Sequence, residues 1–258
     1  MKISRLVIVI LASTTFAVWG KAQTTVVSSY TQDFNSIGTA LPQGWAVWTS
    51  STSTGNGDAF TWNTDLVANN ASASATNYFR NLPGSSQSWS PGLSSGTDRA
   101  IGWRAGNAAS RDGSITFSLS NTSNWTFSSL SFDLFTPNSS GTAGTFYLEY
   151  QIGASGTFNQ LASVSYTNNT AQNPLIVTSI TLNSAQLNVL NNQSSQVTLR
   201  INNTATSGTS WNTLAIDNFS YQASLSNVPE PSTYAAIIGG AALVGVVLIR
   251  RRKRATIA

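Results

Sequence analysis

Residues 146–152 read Phe146-Tyr147-Leu148-Glu149-Tyr150-Gln151-Ile152. In an extended chain Phe146, Leu148, Tyr150 and Ile152 fall on one side, and Tyr147, Glu149 and Gln151 on the other. That period of two belongs to a strand with one apolar and one polar face. The same pattern recurs outward in both directions. Ile115, Phe117 and Leu119 alternate with Thr116 and Ser118, and Leu130, Phe132 and Leu134 with Ser131 and Asp133. Further sets are Ile176, Thr178, Ile180 and Leu182, then Val197, Leu199 and Ile201. A last strand over Leu214–Tyr221 puts Ala215, Asp217, Phe219 and Tyr221 on one face.

Turn-forming residues separate these runs: Asp112-Gly113, Pro137-Asn138-Ser139-Ser140-Gly141, Gly153 to Gly156 and Asn168-Asn169-Thr170. Only Asn183 to Leu190 reads as a short helical turn. Thr49 to Ser114 is looser and richer in Gly, Ser and Asn, which predicts strands joined by long loops. No helical period and no internal repeat is present. Many short strands with one polar face each define an all-β fold, an antiparallel β-sandwich or jelly roll, over residues 23–226.

Composition removes several kinds of chemistry. The 258 residues contain no cysteine and no histidine, so thiolate chemistry, Ser-His-Asp catalysis and imidazole metal sites are excluded. Residues 23–227 also lack lysine, which excludes a Ser-Lys pair. Glu149 is their only glutamate, and its register reads as a solvated strand-face acid rather than half of a glycosidase pair. These observations point away from an enzyme. The calculated pI of 9.6 comes from the two ends. Residues 23–227 hold five arginines against seven aspartates and one glutamate, a net charge of −3. They offer no basic face for nucleic acid.

Both ends read as addresses. Lys2 and Arg5 precede an apolar run from Leu6, and Gly20 and Ala22 occupy small-residue positions. Residues 1–22 therefore read as a secretory signal cut by signal peptidase after Ala22; the alternative is an uncleaved N-terminal anchor. At the other end Val228-Pro229-Glu230-Pro231 leads into an apolar segment, residues 234–249, and then Arg250-Arg251-Arg252-Lys253-Arg254. As a helix at ~1.5 Å per residue this segment would be about 24 Å long, short for a hydrocarbon core of about 30 Å. The basic cluster would stay in the cytoplasm and leave the body outside.

The ordered set of Val-Pro-Glu-Pro motif, short apolar helix and arginine cluster resembles the PEP-CTERM sorting signal of Gram-negative bacteria, over residues 227–254. The resemblance implies transient residence in the inner membrane and recognition by an exosortase-type enzyme. Delivery to the cell surface or an exopolysaccharide matrix would follow. A plain single-pass anchor is the alternative. The body more loosely resembles secreted jelly-roll domains of the MAM-like and carbohydrate-binding kind. The carriers are Gln32-Asp33-Phe34-Asn35-Ser36-Ile37, Leu41-Pro42-Gln43-Gly44-Trp45 and Leu214-Ala215-Ile216-Asp217-Asn218-Phe219. Such domains pair their first and last strands, and some hold a structural Ca²⁺ there; by position, Asp33 and Asp217 would be its ligands.

Two functional expectations follow. One is a structural or interaction protein of the cell surface or extracellular matrix. The other is a lectin-like module acting on exopolysaccharide. Residues 23–227 hold seven tryptophans, and the loop-rich region places Trp62, Trp89 and Trp103 (with Arg104 beside it) as candidates for stacking on sugar rings. The alternative is that these rings fill the core. No sequence-periodic threonine array of the kind an ice surface would require is present.

Overall fold

In a computed structural model, the alternating segments become strands of two antiparallel sheets. The structure describes residues 23–37, 40–49, 51–52, 54–60, 79–84, 98–104, 113–139, 144–166, 176–205, 212–226 and 238–243. Their strands, in chain order, are β1 (Ser29–Gln32), β2 (Trp45–Thr49), β3 (Asp58–Phe60), β4 (Phe79–Pro83), β5 (Arg99–Arg104) and β6 (Gly113–Leu119). They continue as β7 (Trp125–Ser139), β8 (Gly144–Ile152), β9 (Asn159–Tyr166), β10 (Ile176–Asn183), β11 (Val197–Ala205) and β12 (Asn212–Leu225). The first sheet runs β10-β7-β12-β5-β4, with β1 also paired to β12. The second runs β3-β2-β6-β11-β8-β9. The chain crosses repeatedly between them, in the manner of a jelly roll.

The expected helical turn is α1 (Ser184–Leu187), continued by a 3-10 turn at Asn188–Leu190. Asn183 starts it because its side chain accepts from the Gln186 N–H while the Gln186 side chain accepts from the Asn183 N–H. Leu187 and Leu190 are its buried residues.

An aromatic layer fills the space between the sheets. Trp45 of β2 and Phe117 of β6 meet at 5.0 Å between centroids, and Trp45 meets Phe219 of β12 edge-on at the same distance. Tyr30 of β1 stacks on both Phe117, at 5.0 Å, and Tyr221, at 5.5 Å. Rings from both sheets thus bury each other's faces, the largest apolar contribution available to a core. The hydroxyl of Tyr30 accepts from Trp45 Nε1 at 2.9 Å, so neither buried polar atom is orphaned. Burial holds the Tyr30 and Tyr221 phenols above their ordinary pKa.

The first and last strands pair as the jelly-roll resemblance implies, with Ser29 opposite Gln222 and Gln32 opposite Phe219. Phe34 and Ile37, just past β1, plug the core completely buried. Gly44 stands where no side chain fits: its φ is +86°, and a Cβ there would lie 3.1 Å from the Phe117 ring and 3.2 Å from the Ser118 carbonyl.

Two sequence expectations need correction. The Pro137-Asn138-Ser139 stretch, read as a turn, belongs to β7, which pairs Asn138 and Ser139 with Thr213 and Asn212. Pairing with a long partner strand has overridden local turn chemistry there. Ala215 and Asp217 also do not share a face with Phe219 and Tyr221. Asn218 adopts φ 50° and the register with β7 shifts between Asp217 and Ser220. That bulge moves the pattern by one residue. Ile216, Phe219 and Tyr221 consequently enter the main core, whereas Ala215 packs with Leu82, Ala100 and Phe135 in a separate cluster.

Residues 1–22, where the secretory signal and Ala22 lie, are outside the described residues. So are 227–237 and 244–258, with the Val228–Pro231 motif and the Arg250–Arg254 cluster. Residues 238–243 are helical, with Ile238 and Leu243 exposed. Among the described residues no helix is long and apolar enough to cross a membrane.

Candidate functional site

On the second sheet, strand alternation sends Ile115, Phe117, Val197, Leu199, Ile201, Phe146 and Leu148 into the core. The intervening residues therefore face outward, and the register lines them up in rows. One row runs Trp48-Ser114-Asn202-Tyr147-Ser163 across β2, β6, β11, β8 and β9. The next runs Ala46-Thr116-Arg200-Glu149-Gln160, and a third Ser118-Thr198-Gln151. At about 4.7–4.9 Å between strands, Trp48 and Tyr147 stand roughly 14 Å apart along their row.

The centre of this face is an ion pair. Arg200 Nε donates to Glu149 Oε2 at 2.8 Å and Nη2 lies 2.6 Å from the same oxygen. Arg200 Nη1 donates to the Gly55 carbonyl at 2.8 Å, and the guanidinium sits 3.7 Å from the Phe158 ring centroid. Asn202 Nδ2 donates to Glu149 Oε2 at 2.7 Å. Glu149 is therefore not the solvated acid its register suggested: it is 2% exposed, because the pair compensates the charge that burial would otherwise forbid. Beside it, Trp48 Nε1 donates to Thr116 Oγ1 at 2.8 Å, and the Ser118 and Thr198 hydroxyls lie 3.2 Å apart. Trp48, at one end of the row, and Tyr147, three strands away, are partly exposed.

The sugar-stacking candidates fare differently. Trp103 is a core residue, 1% exposed, with Nε1 donating to Asn203 Oδ1 at 3.0 Å and its ring edge-on to Phe146. Its place on β5 gives it an inward register opposite Leu214, so it presents no ring to a ligand. Trp62 and Trp89 lie outside the described residues, and the side chain of Arg104 does too. Sequence reading missed Trp48 and Tyr147 as a pair, because only the strand order places them in one row.

Asp33 and Asp217 come to the same end of the β1–β12 pair. Asp33 is exposed and both its oxygens accept from Asn35, while Asp217 is fully buried and accepts from the Asn218 N–H. Ca²⁺ takes six to eight oxygens. Among the described residues no group of three or more acidic side chains is placed to hold a metal ion.

No family model matches the sequence, and no curated protein matches it. The class defined by the fold is a jelly-roll β-sandwich, and solved domains of similar architecture exist at low identity. The cleaved adhesin domain of Lys-gingipain from Porphyromonas gingivalis is similar over 76% of this chain and 98% of its own, at 9% identity and a TM-score of 0.43. A carbohydrate-binding module specific for non-crystalline cellulose is similar over 78% and 97%, at 13% identity and 0.44. The family 11 carbohydrate-binding module of Clostridium thermocellum, solved with a β-1,3-1,4-mixed-linked tetrasaccharide, is similar over 79% and 100%, at 12% identity and 0.40.

Proposed function

We propose that this is an exported cell-surface or matrix protein whose sandwich domain binds polysaccharide through the outer face of the second sheet. It acts as a binding protein, not as an enzyme. The observation that carries the reading is the row in which Trp48 and Tyr147 bracket Asn202, above the Arg200–Glu149 pair. Partly exposed rings offer faces to sugars, and the Asn202 amide, the Ser114 and Thr116 hydroxyls and the Arg200 guanidinium, now buried, would offer hydrogen bonds of set direction once uncovered. The Val228–Pro231 motif, the segment 234–249 and Arg250–Arg254 supply the sorting address, and residues 1–22 the export signal, by the sequence argument above.

Two measurements test the two halves. Affinity electrophoresis of the full chain against purified polysaccharides, including that of the host, is expected to show retardation. Replacing Trp48 by Ala should abolish retardation with the circular dichroism spectrum unchanged; retardation unaffected by that replacement would remove the site. Intact mass spectrometry of protein recovered from the host should find a soluble species from Gln23 to a residue within Val228–Pro231. A full-length membrane species retaining Arg250–Arg254 would sink the sorting reading.

A further inference from the structure

Outward residues of a sheet are ordinarily solvated, yet Ser114, Thr116, Arg200 and Asn202 are at most 1% exposed. One cover is made by residues 51–52 and 54–57, between β2 and β3. The Ser51 hydroxyl lies 2.8 Å from that of Ser114 and donates to the Asn56 carbonyl at 2.6 Å. The Thr52 N–H donates to the Gly55 carbonyl, which also receives Arg200 Nη1. The segment is thus strapped to the polar face at two places, Ser51 on Ser114 and Gly55 on Arg200. What it offers at each is one hydroxyl or one carbonyl oxygen, and a sugar hydroxyl, as donor or acceptor, can stand in for either.

The strapped arrangement leaves acceptors over. Among the described residues, Asn202 Oδ1 on the face and Asn56 Oδ1 on the strap are buried atoms without a donor. An acceptor withdrawn from water with no partner is destabilised until a donor reaches it. The amide of Asn202 has its orientation fixed, because its Nδ2 is committed to Glu149.

We propose that the strap gates a hydroxyl-binding subsite: a sugar hydroxyl donates to Asn202 Oδ1 when Gly55 releases Arg200, and the subsite selects neutral glycans over polyanions. The inference rests on the polysaccharide reading of this face. A carboxylate or sulfate oxygen has no proton to give to Asn202 Oδ1, and a polyanion that reaches it through one of its own hydroxyls brings negative charge beside the buried Glu149 carboxylate. Arg200 is the one cation in the three rows, and Glu149 already balances it at 2.6 Å. The net charge of −3 over residues 23–227 further disfavours an anionic polymer.

Because the chain has no cysteine, Ser51→Cys with Ser114→Cys installs a single disulfide across the strap contact. The full chain in detergent would be titrated with soluble β-glucan, mannan and galactan, and with alginate as the anionic probe. The reduced double variant is expected to bind a neutral polymer measurably, and it is the reference for its own oxidised form, since Ser114 itself belongs to the binding row. Oxidation should weaken that binding at least ~10-fold, reversibly. A verified disulfide that leaves binding unchanged overturns the gate, and tighter binding of alginate overturns the ligand class. Binding of none of these polymers by wild type fails the polysaccharide reading itself, and this inference with it. Asn202→Leu should lose the neutral polymer with the fold intact; retained affinity would overturn the acceptor role.

Discussion

Replacing Arg200 by Met tests whether the outer face of the second sheet is as dry as its geometry implies. The substitution removes two contacts to Glu149 Oε2, at 2.8 and 2.6 Å, the bond to the Gly55 carbonyl and the stacking on Phe158. It leaves a carboxylate that is 2% exposed without its countercharge. Breaking one partner of a buried pair costs about 3–5 kcal/mol, most of it the penalty on the abandoned charge. At about 2–4 °C per kcal/mol for a domain of this size, the melting temperature should fall by about 6–20 °C. Adding Glu149→Gln removes the abandoned charge but keeps an acceptor for Asn202 Nδ2. The double variant should therefore return to within about 1–2 kcal/mol of wild type. Urea unfolding followed by tryptophan fluorescence measures each step, with an unchanged m-value as the check that the unfolded state is unaffected. A loss under about 1 kcal/mol in Arg200→Met is what a solvated surface pair gives, and it would refute the buried-pair reasoning along with the closed strap built on it.

Four further outcomes are expected. Gly44→Ala should destabilise by about 1–3 kcal/mol, since it combines a φ of +86° with contacts of 3.1–3.2 Å. Gly55→Ala, whose Cβ meets nothing nearer than 3.7 Å, should stay within about 0.5 kcal/mol in the same thermal melts. Stability should be lost in alkali, because burial raises both the Tyr30 and the Tyr221 phenol. The unfolded chain then releases these protons first, so the contribution is full below about pH 10 and falls as pH rises through the folded values. Tyr221→Phe should flatten that decline, and a pH profile identical to wild type would count against it. EDTA should leave the melting temperature unmoved; a fall of several degrees that calcium reverses would show carbonyls completing a shell around Asp33 and Asp217.

Alternation was enough to find β6, β8 and β11, since each has an uninterrupted apolar face and a partner on each side, and also β10 at the sheet edge, where Thr178 alone interrupts the face. Where backbone geometry breaks the period, the sequence misleads. Asn218 at φ 50° is the clearest case: nothing in Ala215-Ile216-Asp217-Asn218-Phe219 announces a bulge, and reading through it put Ala215 and Asp217 on the wrong face. Trp103 failed for another reason. Its loop-rich neighbourhood suggested exposure, but β5 places it opposite Leu214 and Phe79, so its ring goes inward. The row joining Trp48, Asn202 and Tyr147 was out of reach altogether, because those residues are brought together by the order β2-β6-β11-β8, a long-range property with no local signal.

The same order explains why the polar layer deserves a functional reading. A sheet is stabilised by its apolar face, and the second sheet already has one in Ile115, Phe117, Leu199, Ile201, Phe146 and Leu148. Packing leucines against the strap would hold the other face shut at least as well, since buried ion pairs seldom outperform apolar residues of similar volume. Instead that face carries a guanidinium, a carboxylate and an amide whose Oδ1 has no donor. A local choice that costs stability without structural return is expected where a site serves something other than the fold. Hydroxyl-bearing ligands are the chemistry that would make use of it: they supply the missing donor and replace the strap's own hydroxyl at Ser51 with one of theirs.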